Sequence, residues 1–260
     1  MPRFNLIRLS GLFLIQVMLL SGVAAGEVDF IQEGDSFYQK YEHSRSLEAY
    51  FKALEENPAN YEALWKISRA YERMGYNSSL AEAQEENYTK AMEYAEKASR
   101  VNPYGSVARY KLAVSYGRMA LFKGGRTKVD LSKRVKDEAE KAIELDPQEH
   151  RAYHTLAIWN YEVSNLSWIQ RAGARILYGG LPDASLEKAV EYMKKAIEIA
   201  PEFSVHHLEL GKIYKEKGEY EPAAAAFRKC MELPPVGEHD GEYKREAEEL
   251  YKSIEGKIKK

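Results

Sequence analysis

Residues 204–235 read SVHHLELGKIYKEKGEYEPAAAAFRKCMELPP. Counting Ser204 as position 1, the stretch places Leu210 at 7, Gly211 at 8, Tyr214 at 11, Ala223 at 20, Phe227 at 24, Cys230 at 27 and Pro235 at 32. Small residues at 8, 20 and 27 let two antiparallel helices approach closely, and large ones at 7, 11 and 24 fill the seam between them. Proline then ends the second helix. The stretch predicts a helix–turn–helix unit.

That spacing resembles the tetratricopeptide repeat, whose period is about 34 residues. The pattern recurs four more times, anchored on Pro58, Pro103, Pro147 and Pro201. The first unit has Gly34, Phe37, Ser46, Tyr50 and Ala53 at positions 8, 11, 20, 24 and 27. The second carries Ile67, Ser68, Tyr71, Ala91, Ala95 and Ala98, and the third Leu112, Ala113, Tyr116, Ala139 and Ala142. The fourth carries Leu156, Ala157, Ala189, Met193 and Ala196. Beyond Pro235, Tyr243, Ala247, Leu250, Tyr251, Ile254 and Ile258 share one stripe, as a solvating terminal cap requires. The expectation is an all-α solenoid with repeats at about 27–60, 61–105, 106–149, 150–203 and 204–237 and a cap at 242–260.

The anchoring prolines are 45, 44, 54 and 34 residues apart, so repeats two, three and four exceed the period. The surplus falls in the turn joining the two helices of each unit. Inserted sequence such as Ser79–Tyr88 is helix-friendly, which predicts longer helices over floppy loops and a wall along one edge.

Over 260 residues, 45% hydrophobic and 30% charged content suits a helical protein with exposed charged faces, and a net charge of −2 gives no pull toward nucleic acid. The N-terminus stands apart. Arg3 and Arg8 flank a short positive segment, Leu9 to Leu20 is an apolar run broken only by Ser10, Gly11 and Gln16, and no acid precedes Glu27. With small residues at Ser21–Gly26, this is the pattern of a secretory signal peptide covering 1–26. An uncleaved anchor is the second reading, and either places the repeats in the periplasm or at the outer face of a membrane. The single cysteine, Cys230, stands where a small core side chain is wanted and excludes an intrachain disulfide.

Repeat four has the most individual insertion. Leu166-Ser167-Trp168-Ile169, a basic amphipathic turn, a Gly-Leu-Pro break and then Ala184-Ser185-Leu186-Glu187-Lys188-Ala189 resemble the regulator of microtubule dynamics family and its bacterial relatives, most strongly from Tyr153 to Tyr214. The resemblance implies an all-helical, non-enzymatic repeat domain. Eukaryotic members are associated with microtubules, which an exported bacterial chain would never meet, so fold and groove carry over and that biology does not. Physically, Trp168, Ile169, Ala172, Ile176 and Leu177 share a helical face with Arg171 and Arg175 beside it. Such a helix suits a membrane interface. The favoured expectation is that it folds down over the array as a lid.

First helices of such repeats line a concave groove. Position 5 supplies Trp65, Tyr110 and His154 as an aromatic ladder, with Arg69, Arg73, Arg118, Arg151, Tyr161 and Lys212 nearby. With Trp168 and Arg171 these are the candidate binding residues, and aromatics interleaved with arginines suit an extended peptide, an anionic head group or an amphipathic helix. No repeat has the lysine at position 5 that a carboxylate clamp needs. His150 and His154 are spaced i, i+4 without an evident third metal ligand, and adjacent His206 and His207 read as surface and groove residues. Neither a catalytic constellation nor a cofactor motif is legible. The expected function is a scaffold for a protein or peptide partner, with a carrier of a lipid or other amphipathic ligand as the alternative.

Overall fold

The computed structural model describes residues 29–258; the segment at 1–26, expected to be a signal peptide, lies outside them. Twelve α-helices and no strand occur among the described residues. They are α1 (Phe30–Gln39), α2 (His43–Glu56), α3 (Tyr61–Asn77), α4 (Ala81–Val101), α5 (Ser106–Ala120), α6 (Gly125–Leu145), α7 (His150–Ser164), α8 (Trp168–Tyr178), α9 (Leu186–Ile199), α10 (Ser204–Glu216), α11 (Tyr220–Glu232) and α12 (Asp240–Ile254). The hairpins are α1/α2, α3/α4, α5/α6, α7/α9 and α10/α11, and each second helix packs on the first helix of the next unit. First helices also touch one another in succession, so α1, α3, α5, α7 and α10 form the inner layer.

The seam follows from residue size. A Cβ on Gly34 would lie 2.3 Å from the Tyr50 ring, and one on Gly211 would lie 2.4 Å from the Phe227 ring. Position 8 is therefore bare because position 24 is aromatic and fully buried. A second contact of this kind, absent from the 34-residue unit, joins Gly75 to Tyr88 in the enlarged second repeat. The boundaries also share a device. Asn57, Asn102 and Asp146 end their helices, and each side chain accepts the backbone N–H two residues on, across the following proline.

The insertions take two forms. In repeats two and three they lengthen helices: α4 and α6 each run 21 residues, against 13 in α11, which is about two extra turns. Repeat four departs from the expectation of longer helices. Its surplus becomes the separate helix α8, followed by an irregular return at 179–185. The reason is local. Ser167 and Gln170 form a capping box that starts a new helix, and Gly179 and Gly180, at φ of 76° and 80°, stop it.

The lid expectation for this insertion is overturned. α8 lies against α6, not across the inner layer, and Trp168 remains 78% exposed. The terminal cap also does more than shield the last repeat. Glu238 accepts from Asn77 at 3.0 Å and pairs with His43 at 2.9 Å, and the His239 ring sits 4.5 Å from that of Tyr76. The segment before α12 thus ties the last repeat to the first two, and the solenoid closes on itself.

Candidate functional site

The inner layer is a chain of charges, several of them satisfied across a repeat boundary. At the front, Asp35 accepts from Tyr50 Oη at 2.8 Å, from Lys66 Nζ, and from Arg69 at 3.3 Å. Burial alone would raise its pKa; the hydrogen bonds from Lys66 and Tyr50 and the nearby Lys66 and Arg69 charges hold it below the usual carboxylate value. Arg69 also stacks on Tyr38, 3.7 Å from its centroid.

In the middle, Lys111 donates to Glu72 at 2.6 Å, and the lysine is only 4% exposed. Burial disfavours the charge on Glu72, but Lys111, Arg73 and Arg118 more than reverse this, leaving its pKa lowered. Arg151 makes a bidentate contact with buried Glu149, at 2.6 and 2.8 Å, and its guanidinium lies 4.5 Å over the Tyr110 ring. At the rear, Lys212 bridges Glu209 at 2.9 Å and Glu246 at 2.7 Å. Glu209 differs from Asp35 and Glu72: burial outweighs Lys212 and its pKa is raised. A cleft of about 200 Å³ opens here between Tyr161, Lys212, Lys215, Glu216, Glu246 and Leu250.

Three histidines join α7 to α10. His206 Nε2 lies 2.8 Å from His150 Nδ1, and His206 Nδ1 lies 3.0 Å from His154 Nδ1. The expectation of surface and groove positions for His206 and His207 is corrected, since both are buried and His207 Nε2 bonds to the Pro201 carbonyl. Burial pushes His154 down to about 4, with the His150, Arg118 and Lys212 charges acting in the same direction. His206 brings a third imidazole to the i, i+4 pair but turns a different nitrogen to each neighbour. Among the described residues no group of His, Cys, Asp or Glu is arranged to hold a metal ion.

The candidate residues thus have distinct fates. Among the described residues no ring contact joins Trp65, Tyr110 and His154; Arg69 lies 5.1 Å from the Trp65 ring and Lys111 4.7 Å from that of Tyr110. Arg69, Arg151 and Lys212 are engaged by carboxylates of the fold itself. Arg73 stands beside the Tyr38 and Tyr243 hydroxyls. Arg118 sits 5.5 Å from the Tyr76 ring and 5.8 Å from that of Tyr88, with no carboxylate within ion-pair distance among the described residues. Tyr161 lines the rear cleft. Trp168 and Arg171 lie away from all of these, on α8. Sequence reasoning missed Glu72, Lys66 and Lys111. The available signal was the lysine at position 6 in both the second and third repeats, a place that faces the preceding first helix.

Paired helices with small-on-large seams, an inner layer of first helices and a terminal cap define a tetratricopeptide-type solenoid. The chain belongs to the regulator of microtubule dynamics family: the family model described as regulator of microtubule dynamics protein 1-3 matches residues 30–255. It is 28% identical over 231 residues to regulator of microtubule dynamics protein 1 of Bos taurus, covering 88% of this chain and 72% of that protein. Against protein 3 of Rattus norvegicus it is 28% identical over 228 residues, covering 85% of this chain but 47% of the relative. It therefore spans about half the length of that relative. Among solved structures, a thermophilic tetratricopeptide protein of Thermus thermophilus superposes with a TM-score of 0.66 at 15% identity, covering 85% of this chain and 96% of that one. PilF of Pseudomonas aeruginosa gives 0.56 at 13% identity, covering 88% and 96%. These likenesses establish the fold.

Proposed function

We propose that the chain is a non-catalytic scaffold that holds a protein or peptide partner on its inner layer, at the rear cleft and beside Arg118. The observation that carries this is Arg118: a guanidinium near the Tyr76 and Tyr88 rings that makes no ion pair among the described residues, on a face where Lys111, Arg151 and Lys212 are paired. Such a group suits an acidic side chain or a backbone carbonyl of a bound segment. The cleft between Tyr161, Lys212 and Leu250 supplies mixed polar and apolar lining for a few residues of the same segment. The carrier alternative requires an enclosed apolar cavity. The clefts lined by Tyr161 and Lys212, and by Tyr41, His43 and Asn77, have mixed lining and are open to solvent, which favours a peptide over an acyl chain.

The relatives' name links them to microtubule dynamics, and regulation by a scaffold needs a bound partner. Work on the exported side of a membrane is part of the proposal, and rests on the leader pattern at 1–26. Photo-crosslinking from position 161 in cells, followed by mass spectrometry, tests the groove. A discrete partner whose yield falls with Arg118→Ala supports it, and a partner captured equally by that variant sinks it. Cell fractionation with the intact mass of the mature chain tests export.

A further inference from the structure

α8 presents its large apolar side chains to solvent. Four of the ten exposed large apolar residues among the described chain fall within its eleven residues: Trp168, Ile169, Ile176 and Leu177, at 78%, 63%, 80% and 60% exposure. Trp168, Ala172, Ile176 and Ile169 span an arc of about 100° on the helix. This is a contiguous stripe, not the scatter that soluble surfaces normally carry.

The helix is held firmly from its other side. Ala174 is buried, Arg126 donates to the Leu177 carbonyl at 3.5 Å, and Lys133 donates to that of Tyr178 at 3.3 Å. The capping box and the two left-handed glycines fix both ends. The stripe is therefore displayed by a built element, and a fraying turn does not account for it.

On α8 itself charge has one sign, while α6 beneath it is mixed, with Asp130 among Arg126, Lys128 and Lys133. Residues 164–182 contain Arg171 and Arg175 and no acid. Arg126, Lys128, Lys133, Arg171 and Arg175 have no carboxylate partner among the described residues. Some exposed lysines elsewhere pair along their own helices, as Lys90 does with Glu86 and Lys252 with Glu248, while others such as Lys52 and Lys188 make no ion pair among the described residues. Arg171 spends its hydrogen bonds on the Ser164 and Leu166 carbonyls, which leave its charge uncompensated. Arg171 and Arg175 thus set positive charge beside the most exposed apolar helix among the described residues, in a chain of net charge −2.

We propose that α8 docks the protein on an anionic phospholipid surface, lying in the plane of the interface. Eleven residues reach about 16 Å, too short to span a bilayer but suited to lying along it. Tryptophan and isoleucine enter the acyl boundary, while the arginines remain at the phosphates with their stems along the apolar surface. The proposal is independent of the groove, which occupies a different layer of the fold.

The test titrates the full chain with phosphatidylcholine vesicles, with and without phosphatidylglycerol, following tryptophan emission and co-sedimentation. Because the leader can itself bind lipid, the comparison is between the wild type and a Trp168→Ala/Ile176→Ser variant. Both positions are exposed, so the fold should survive, which helix content by circular dichroism verifies. Expected are a blue shift assigned to Trp168 by its loss in Trp168→Phe, a preference for anionic vesicles that weakens with salt, and a drop in partitioning of about tenfold or more in the double variant. Equal partitioning of variant and wild type, or indifference to phosphatidylglycerol, overturns the proposal. So does an acidic protein that binds the stripe while vesicles do not.

Discussion

Lowering the pH should weaken the packing of α7 on α10, and the histidine chain sets the size of the effect. His154 has a folded pKa of about 4 against an ordinary 6.5, because burial and the neighbouring His150, Arg118 and Lys212 charges disfavour the imidazolium. A depressed folded pKa means that the unfolded chain binds the proton first. The contribution is therefore fully present above 6.5 and is lost as the pH falls toward 4. At about pH 4.5 the unfolded imidazole is protonated and the folded one still largely neutral, which costs about 2.5 kcal/mol at roughly 1.4 kcal/mol per pKa unit. His150 and His206 are shifted in the same direction by burial and add to the loss. The assay is urea unfolding of the wild type and of His154→Gln at about pH 7.5 and about pH 4.5. Other acid-sensitive pairs, such as Asp35 with Lys66, contribute equally to both proteins. The wild type should lose about 2 kcal/mol more than the variant between the two conditions. Parallel losses would refute the reasoning, because they would mean that His154 is as easily protonated folded as unfolded.

Other consequences are equally open to measurement. Gly211→Ala places a methyl group 2.4 Å from the Phe227 ring and should cost about 1–3 kcal/mol in chemical denaturation, with part of the loss recovered by Phe227→Leu in a double-mutant cycle. Lys111→Met leaves the Glu72 carboxylate buried without its partner and should destabilise by about 3–5 kcal/mol, less when combined with Glu72→Gln. Cys230 is buried with its thiol pushed up to about 11, chiefly by burial, so thiol reagents should leave it unmodified until the protein unfolds. Glu238→Ala removes the contacts to His43 and Asn77, and should speed amide exchange around residues 41–44 and 76–78 without a comparable change in the core of α10 and α11.

The parts of this fold that sequence reveals are those in which both partners lie within one repeat. Gly211 and Phe227 are sixteen residues apart, and the need for a bare Cα under a ring can be read from that distance alone. The same holds for the longer α4 and α6, where helix-forming insertions simply continue the helix. The inner layer is different. Arg69, Arg73 and Arg151 are recognisable as inward-facing cations, but Asp35 answers Arg69 from the preceding unit and Tyr243 answers Arg73 from the far end of the chain. Whether such a cation is free for a partner or already engaged depends on the superhelical path, which no single repeat encodes. The orientation of α8 was hidden for a related reason. Its stripe is equally compatible with burial over the array or exposure beyond it, and the choice is made by Arg126, Lys133 and the Ala174 contact on α6.

Closure of the ring bears directly on how the groove works. In an open solenoid every inner cation meets solvent and any extended peptide can run along the layer. Here Glu238, His239 and Tyr243 occupy the front of that layer, against His43, Tyr76, Asn77 and Arg73. A partner that used the whole inner layer would have to displace them, giving up the Glu238 hydrogen bonds and exposing the half-buried Tyr243 hydroxyl. A partner confined to the Tyr161 cleft would not. If Glu238→Ala tightens binding, the partner reaches the front of the groove and the C-terminal segment competes with it. If Glu238→Ala leaves affinity unchanged while Arg118→Ala abolishes it, the segment is purely structural and the partner reaches Arg118 without displacing it.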